Sequence, residues 1–462
     1  MPNLNKRKAI SPKIRFIVIT TFLLVLLCFG VYFYKMENKT ITLHYAAWNL
    51  GDAQNPLLER KMIEEYEKNN PNIKIIIEES FVENYDLAMT EAAKAQTIPD
   101  VFMYSGNATV ESNDWCLDLT NIVKKDDEWN KIQSVLTDAT YMKGKVVAIP
   151  SAIYLYGYYC NEEVVLGSGL KLLDQPIELE TFIAYCKQTT NLSEGRIGLG
   201  DASSIPEWYP ASVNPRLGWF SWDGGKLNLN SEEFMEGIDL AKLFMTKKYT
   251  FGMLNEQEKA SMQAEGDWQA WSEGKVAFKF DGTWSMSNYA EISEKISFVG
   301  MPGGRTCIVP DFLFLSKNTS HPEEAYEFAK YMSAYSEKGF QTRIQLAKEN
   351  DFEVTSLPMI EDTDITEDYF SFIHMKGIEE AYRNFMEHPK DAYVEATKVL
   401  PGYPMARWNY MTNFKVMDKE HATIGEVITA CTRGELDYRE VADEINYLAN
   451  SSILMYPQQL NN

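Results

Sequence analysis

Two hydrophobic periods alternate in the first part of this chain, and their order restricts the fold more than any other feature. Thr40 to Ala47 reads as a strand. Asn55-Pro56 resembles a helix start, with proline at the first helical position, and Leu58, Met62, Ile63 and Tyr66 then fall on one helical face. Asn70-Pro71 ends that helix, and Ile73 to Glu78 reads as a second strand. Tyr85 to Lys94 is helical again, and Pro99 to Tyr104 gives a third strand. This strand–helix–strand–helix–strand order predicts an α/β fold, with a parallel or mixed sheet and helices on both faces.

Further along, Lys143 to Pro150 reads as a turn, a strand and a stop, and Tyr154 to Cys160 as another apolar strand. Helices dominate from about Glu178 onward, interrupted by strand-like pieces at Lys275 to Phe280 and Asp311 to Leu315. Pro322-Glu323-Glu324-Ala325 opens an amphipathic helix with Ala325, Phe328, Ala329 and Met332 on one face. The last hundred residues read as helical, ending near Leu454. A chain of 462 residues exceeds what one core supports and predicts two domains.

The net charge is -22, although the first 35 residues hold six basic side chains and no acid. So acidic a body repels nucleic acid and anionic lipid, which argues against phosphate-backbone binding. Phe16 to Tyr34 contains no charge, and its nineteen residues would span about 28 Å as a helix, close to a bilayer core. Basic residues precede this run and Glu37 follows it, which predicts a cytoplasmic amino terminus (residues 1–15) and an external body. A small-x-small cleavage site does not follow, so a retained anchor is the first reading and a signal the second. Cys28 suggests lipidation, but Leu27 stands where a small residue is needed. The remaining cysteines and the five histidines are scattered, so neither a metal site nor a disulfide framework is expected.

Glu273 to Trp284 (EGKVAFKFDGTW) reads as a turn, a short alternating strand, a second turn permitted by Gly282, and a presented indole. Ser285 and Ser287 are candidate caps for a following helix. Trp284 would then stand at the carboxyl end of a strand, where open α/β sheets bind ligands. A core tryptophan after an ordinary strand is the alternative.

These segments stand in an order that resembles the extracellular solute-binding proteins of ABC sugar importers, the family that includes the maltose-binding protein. The first strand carries Trp48, and its helix ends in Glu65-Tyr66-Glu67-Lys68-Asn69-Asn70-Pro71. Ile98-Pro99-Asp100-Val101-Phe102, Leu117-Asp118-Leu119, Gly144 to Pro150 and Asn161-Glu162-Glu163 follow. The Glu273 to Trp284 stretch, Leu315-Ser316-Lys317-Asn318 with Pro322 to Ala325, and Arg433-Gly434-Glu435-Leu436-Asp437 complete the set. The resemblance implies a two-lobed, periplasmic-binding-protein-like fold of type II. Lobe 1 would hold residues 40–153 and about 315–365, and lobe 2 residues 154–314 and about 366–455. It also implies a monomer without a cofactor that binds an oligosaccharide between hinged lobes and delivers it to a membrane permease, with no catalysis.

Sugars present apolar CH faces and a rim of hydroxyls, so aromatic platforms with acid or amide partners are the expected contacts. Trp284 falls where the maltose-binding protein places a stacking tryptophan. Trp48 and Asp52 lie in or beside the loop after the first strand, and Tyr104 and Asn107 follow the third. Tyr154 stands where the maltose-binding protein carries an acid, a departure that puts maltose-like recognition in doubt. Glu207 and Trp208 lie in a proline-flanked loop, and Trp408 belongs to the carboxyl-terminal region. Trp219, Trp222, Trp268 and Trp271 read as core or loop anchors. A membrane-anchored glycosidase or sugar sensor is the competing reading; a glycosidase would need two carboxylates about 5–9.5 Å apart.

Overall fold

The computed structural model describes residues 40–459 apart from 53, 82, 83 and 361. The expected basic segment 1–15, the expected span 16–34 and Cys28 lie outside the described residues. Among the described residues no helix is long and apolar enough to cross a membrane.

A nine-stranded mixed sheet organises the fold. Its strands are β1 (Ile41–Ala46), β2 (Ile73–Ile77), β3 (Val101–Tyr104), β4 (Ile149–Asn161), β5 (Ile197–Leu199), β6 (Val276–Gly282), β7 (Ile296–Gly300), β8 (Cys307–Leu315) and β9 (Tyr393–Val394). The order is β2-β1-β3-β8-β4-β6-β5, with β9 on β8 and β7 on β4. The β1–β2 and β1–β3 pairs are parallel, as the crossover helices Leu58–Asn69 and Tyr85–Ala95 require.

The two longest strands, β4 and β8, run antiparallel through both halves of the sheet. Beside β3, Phe312 to Leu315 of β8 pair with Tyr104 to Val101. At the other end, Tyr156 to Cys160 of β4 pair with Gly282 to Phe278 of β6. Between these ends the register slips: Asp311 pairs with Ala152, but Phe312 pairs with Pro150. Ser151 is thus the extra residue of a β-bulge at the waist of the sheet, a device that bends a strand locally.

The expectation that Pro150 ends a strand is corrected here. Pro150 lies inside β4, because the adjoining bulge relaxes the ladder where proline cannot donate a hydrogen bond. The first helix begins at Leu58 rather than at Pro56, which forms an isolated bridge with Gly51. Ser285 occupies the cap position of helix Met286–Ile292 without a side-chain capping bond, and Ser287 lies within that helix. The five described cysteines are free, and all but Cys116 are buried.

Apolar side chains form one large cluster, from Leu43 and Tyr66 through Ile153 to Trp271 and Phe298. Two smaller clusters cover the remaining faces at either end, one around Phe102 and Phe314 and one around Trp208 and Phe278. β4 and β7 approach closely at Gly157, where an added Cβ would lie 2.6 Å from the Gly300 carbonyl carbon. Backbone on both sides leaves no room to yield. Gly157→Ala is expected to destabilise the fold by about 1–3 kcal/mol in a denaturant titration, the usual cost of overpacking. An unchanged midpoint would contradict this packing.

Candidate functional site

A row of rings stands where β4 approaches the bulge. Tyr154 and Tyr156, two residues apart, project from the same face of β4. Trp284 meets both edge-on, at centroid distances of 5.6 and 5.1 Å. On Tyr156, Trp219 stacks at 5.5 Å with an interplanar angle of 20°, and Phe280 of β6 packs at 5.0 Å. Tyr154, Tyr156, Phe280 and Trp284 all retain partial exposure, whereas Trp219 is buried.

Gly282 sets the pose of Trp284. β6 ends at this glycine and a single 3-10 turn, Thr283–Ser285, follows. The indole folds back so far that a Cβ on residue 282 would lie 2.3–2.4 Å from its six-membered ring. The Thr283 hydroxyl accepts the Leu155 N–H at 3.1 Å and ties the turn to β4. Asp281 accepts the Gly282 N–H at 2.7 Å and the Tyr289 hydroxyl at 2.6 Å.

Carboxylates surround this row. Burial, and after it the charge of Glu395, raises the Tyr156 phenol well above its ordinary range; Asp281 and Glu207 add to the effect. Burial, then Asp311 and Glu59, does the same for Tyr154. Both phenols therefore stay protonated and able to donate. Asp311, at the bulge, accepts from Lys398 at 2.7 Å, and both side chains are largely buried. Glu395 caps the short helix Ala396–Val399 by accepting the Thr397 N–H at 3.0 Å, and also takes the Thr397 hydroxyl. Burial raises its carboxyl above the usual glutamate range against these bonds.

The structure gives Glu207 and Trp208 other work than ligand contact. Glu207 is buried and accepts the Arg407 Nε–H at 2.8 Å, the Tyr403 hydroxyl at 2.8 Å and the Trp219 indole N–H at 3.0 Å. It holds Trp219 in place behind Tyr156. Trp208 is fully buried and donates to the Tyr158 hydroxyl at 3.1 Å, so it offers no surface to a ligand. Asn107 is likewise fully buried and donates to the Ala139 carbonyl, which makes it a brace between the third strand's loop and residue 139.

The remaining expected contacts lie apart from the row. Trp48 is exposed and packs edge-on against Tyr85 at 5.5 Å, and Tyr104 does the same with Trp115 at 5.7 Å. Asp52 closes its own loop by accepting the N–H groups of Gln54 and Asn55, both at 2.7 Å. Those backbone bonds, Asn55's first, hold its carboxyl below the usual range. The loop nevertheless reaches the site, because Asn49 and Tyr154 line one 280 Å³ cavity. Trp408 is exposed and carries the Arg407 guanidinium over its ring at 3.7 Å, on a groove formed by residues 408–435.

Tyr156, Phe280, Asp311 and Glu395 were not anticipated. Tyr156 was within reach, since strand alternation places it beside Tyr154. Asp311 and Glu395 depend on the bulge and on the short β9 pairing, for which no local pattern exists.

The model for bacterial extracellular solute-binding proteins matches residues 61–347. An ABC transporter extracellular-binding protein of Pyrococcus horikoshii is 22% identical over 286 residues, 59% of this chain and 64% of that relative, so the match spans under two thirds of the relative's length. An ABC substrate-binding protein of Listeria monocytogenes in complex with cycloalternan superposes with a TM-score of 0.65 at 15% identity, over 90% of this chain and 99% of that one. A sugar-binding protein of Xanthomonas citri gives 0.66 at 12% identity, over 91% and 100%. The extracellular solute-binding protein of Staphylococcus aureus in complex with maltose gives 0.61 at 16% identity, over 90% and 99%. At these identities the superpositions establish a shared two-lobed fold, and the match over residues 61–347 establishes kinship: the chain belongs to the bacterial extracellular solute-binding proteins.

Proposed function

We propose that this protein binds an oligosaccharide outside the cell and delivers it to an ABC permease by closing two lobes around it. The row Tyr154–Trp284–Tyr156–Trp219 carries the reading. Its part-exposed rings offer flat apolar faces to sugar CH groups, and the protonated phenols of Tyr154 and Tyr156 offer partners to hydroxyls. Lobe 1 comprises residues 40–153 and about 315–365, and lobe 2 residues 154–314 and about 366–455, in support of which the bulge at Asp311 and Ala152 lies within a few residues of both proposed crossings. The apolar run 16–34 anchors the protein, with residues 1–15 in the cytoplasm. The protein acts as a monomer and does no chemistry on its ligand: Asp281, Asp311, Glu207 and Glu395 are each tied up in hydrogen bonds that fix the scaffold. Trp48, Asp52, Tyr104 and Trp408 belong to the proposed set of ligand contacts, and Trp284 is the central platform.

Titration calorimetry with a bound oligosaccharide checks this assignment. Trp284→Ala is expected to weaken binding at least about tenfold, the loss of one desolvated aromatic contact, while the variant melts lower but still unfolds in one cooperative transition. Equal affinity would remove Trp284 from the site, and release of shorter sugars from the ligand would favour a glycosidase instead.

Acid behaviour gives a second check. The folded state raises the Glu395 carboxyl, so ionising it there costs stability. Its contribution is fully present below the ordinary glutamate value of about 4.3 and is lost as pH rises towards the folded value. Glu395→Gln, which can still cap through its carbonyl, is expected to melt higher than the parent at pH 7 and to lose that advantage in acid. A lower melting temperature for the variant at pH 7 would contradict the burial argument.

A further inference from the structure

The cavity beyond Tyr154 has polar walls that the scaffold does not satisfy. It measures 280 Å³, just under the roughly 300–1,000 Å³ of ordinary small-molecule pockets, so one ring fits and a chain does not. Its lining includes Asn49, Leu57, Glu59, Ser151, Arg343 and Thr355. Glu59 and Arg343 form a largely buried ion pair at 2.5 Å. Arg343 also donates to the Met332 carbonyl at 2.8 Å, and its Nε–H has no partner. Ser151, the bulge residue, is 7% exposed with an unpartnered hydroxyl, and the Asn49 amide oxygen is unpartnered as well. Glu59 commits one carboxylate oxygen to Arg343; among the described residues nothing donates to the other.

We propose that this cavity is an end pocket for a single uncharged pyranose ring, and that Glu59 makes it reject anionic sugars. The inference rests on the carbohydrate reading above and adds to it a position and a charge preference. An uncharged ring carries hydroxyls that both donate and accept. Its hydroxyls can donate to the free Glu59 carboxylate oxygen, and the residues that carry the unpartnered hydroxyl, amide and guanidinium groups belong to the same lining. A uronate or phosphorylated ring would need a cation. Among the described residues of the lining, the one arginine is already neutralised by Glu59, and Asp351 and Glu353 stand in the same wall. Repulsion from an unpaired acid is an efficient way to refuse a near-identical ligand. Tyr154 links the pocket to the aromatic row, because it lines the cavity and meets the edge of Trp284.

The test is titration calorimetry of the purified protein against neutral glucose-, galactose- and mannose-based trisaccharides. The tightest binder is then compared with its counterpart carrying a uronate in place of one terminal hexose, at either end in turn. One of the two uronates is expected to bind at least about tenfold more weakly, a penalty of about 1.4 kcal/mol. Glu59→Gln would recover part of that loss. Because Glu59→Gln leaves Arg343 buried without its counter-ion, Leu57→Trp serves as a second variant. Leu57 is 46% exposed, so an indole there narrows the cavity without touching the core. It is expected to weaken trisaccharide binding about tenfold or more while the melting temperature holds. Uronate-ended and neutral sugars binding equally, or full affinity in Leu57→Trp, would overturn the end pocket while leaving the carbohydrate reading intact. No heat and no thermal shift with any trisaccharide would overturn both.

Discussion

The antiparallel pairing of β4 with β8 is the constraint on which the rest of this structure depends. These two strands belong to both halves of the sheet, so every other strand takes its place by pairing, directly or in turn, with one of them. A continuous ladder would weld the halves into one plate. The bulge at Ser151 interrupts it close to where β3 ends and a few residues short of the last β4–β6 pair, and bends the strand there. The aromatic row sits at that waist, where a ligand touching both halves can favour one mutual arrangement over another.

The row is held by groups buried behind it. Glu207 receives three hydrogen bonds, from a guanidinium, a phenol and an indole, and so brings Arg407, Tyr403 and Trp219 to one point. A buried carboxylate is expensive to desolvate, and full pairing offsets that cost while fixing the geometry. Trp219 then backs Tyr156, Tyr156 backs Trp284, and the missing side chain at Gly282 lets the indole lie flat over the strand end. Platforms supported in this way lose little freedom on binding, which favours affinity.

Much of this architecture was legible in the chain. The alternation of periods over residues 40–104 gave the parallel strands and their helices within a few residues, because local hydrophobic patterning decides both. Trp284 stood out because a glycine two residues earlier marks a sharp exit from a strand. What stayed hidden depends on distant pairing. Pro150 looked like a stop, since a bulge created by the β8 register cannot be seen from β4 alone. Glu207 and Trp208 looked like a ligand pair, since an acid beside an aromatic reads the same whether it faces a cleft or a core. Only the arrival of Arg407, two hundred residues away, turns Glu207 inward.

The central claim is that a carbohydrate draws the two halves together about the β4–β8 waist. Small-angle X-ray scattering of the purified protein, with and without a saturating oligosaccharide shown by calorimetry to bind, measures this directly. The account predicts a smaller radius of gyration in the liganded sample, consistent with hinge closure. A bound sugar that leaves the radius of gyration and the scattering profile unchanged would contradict it.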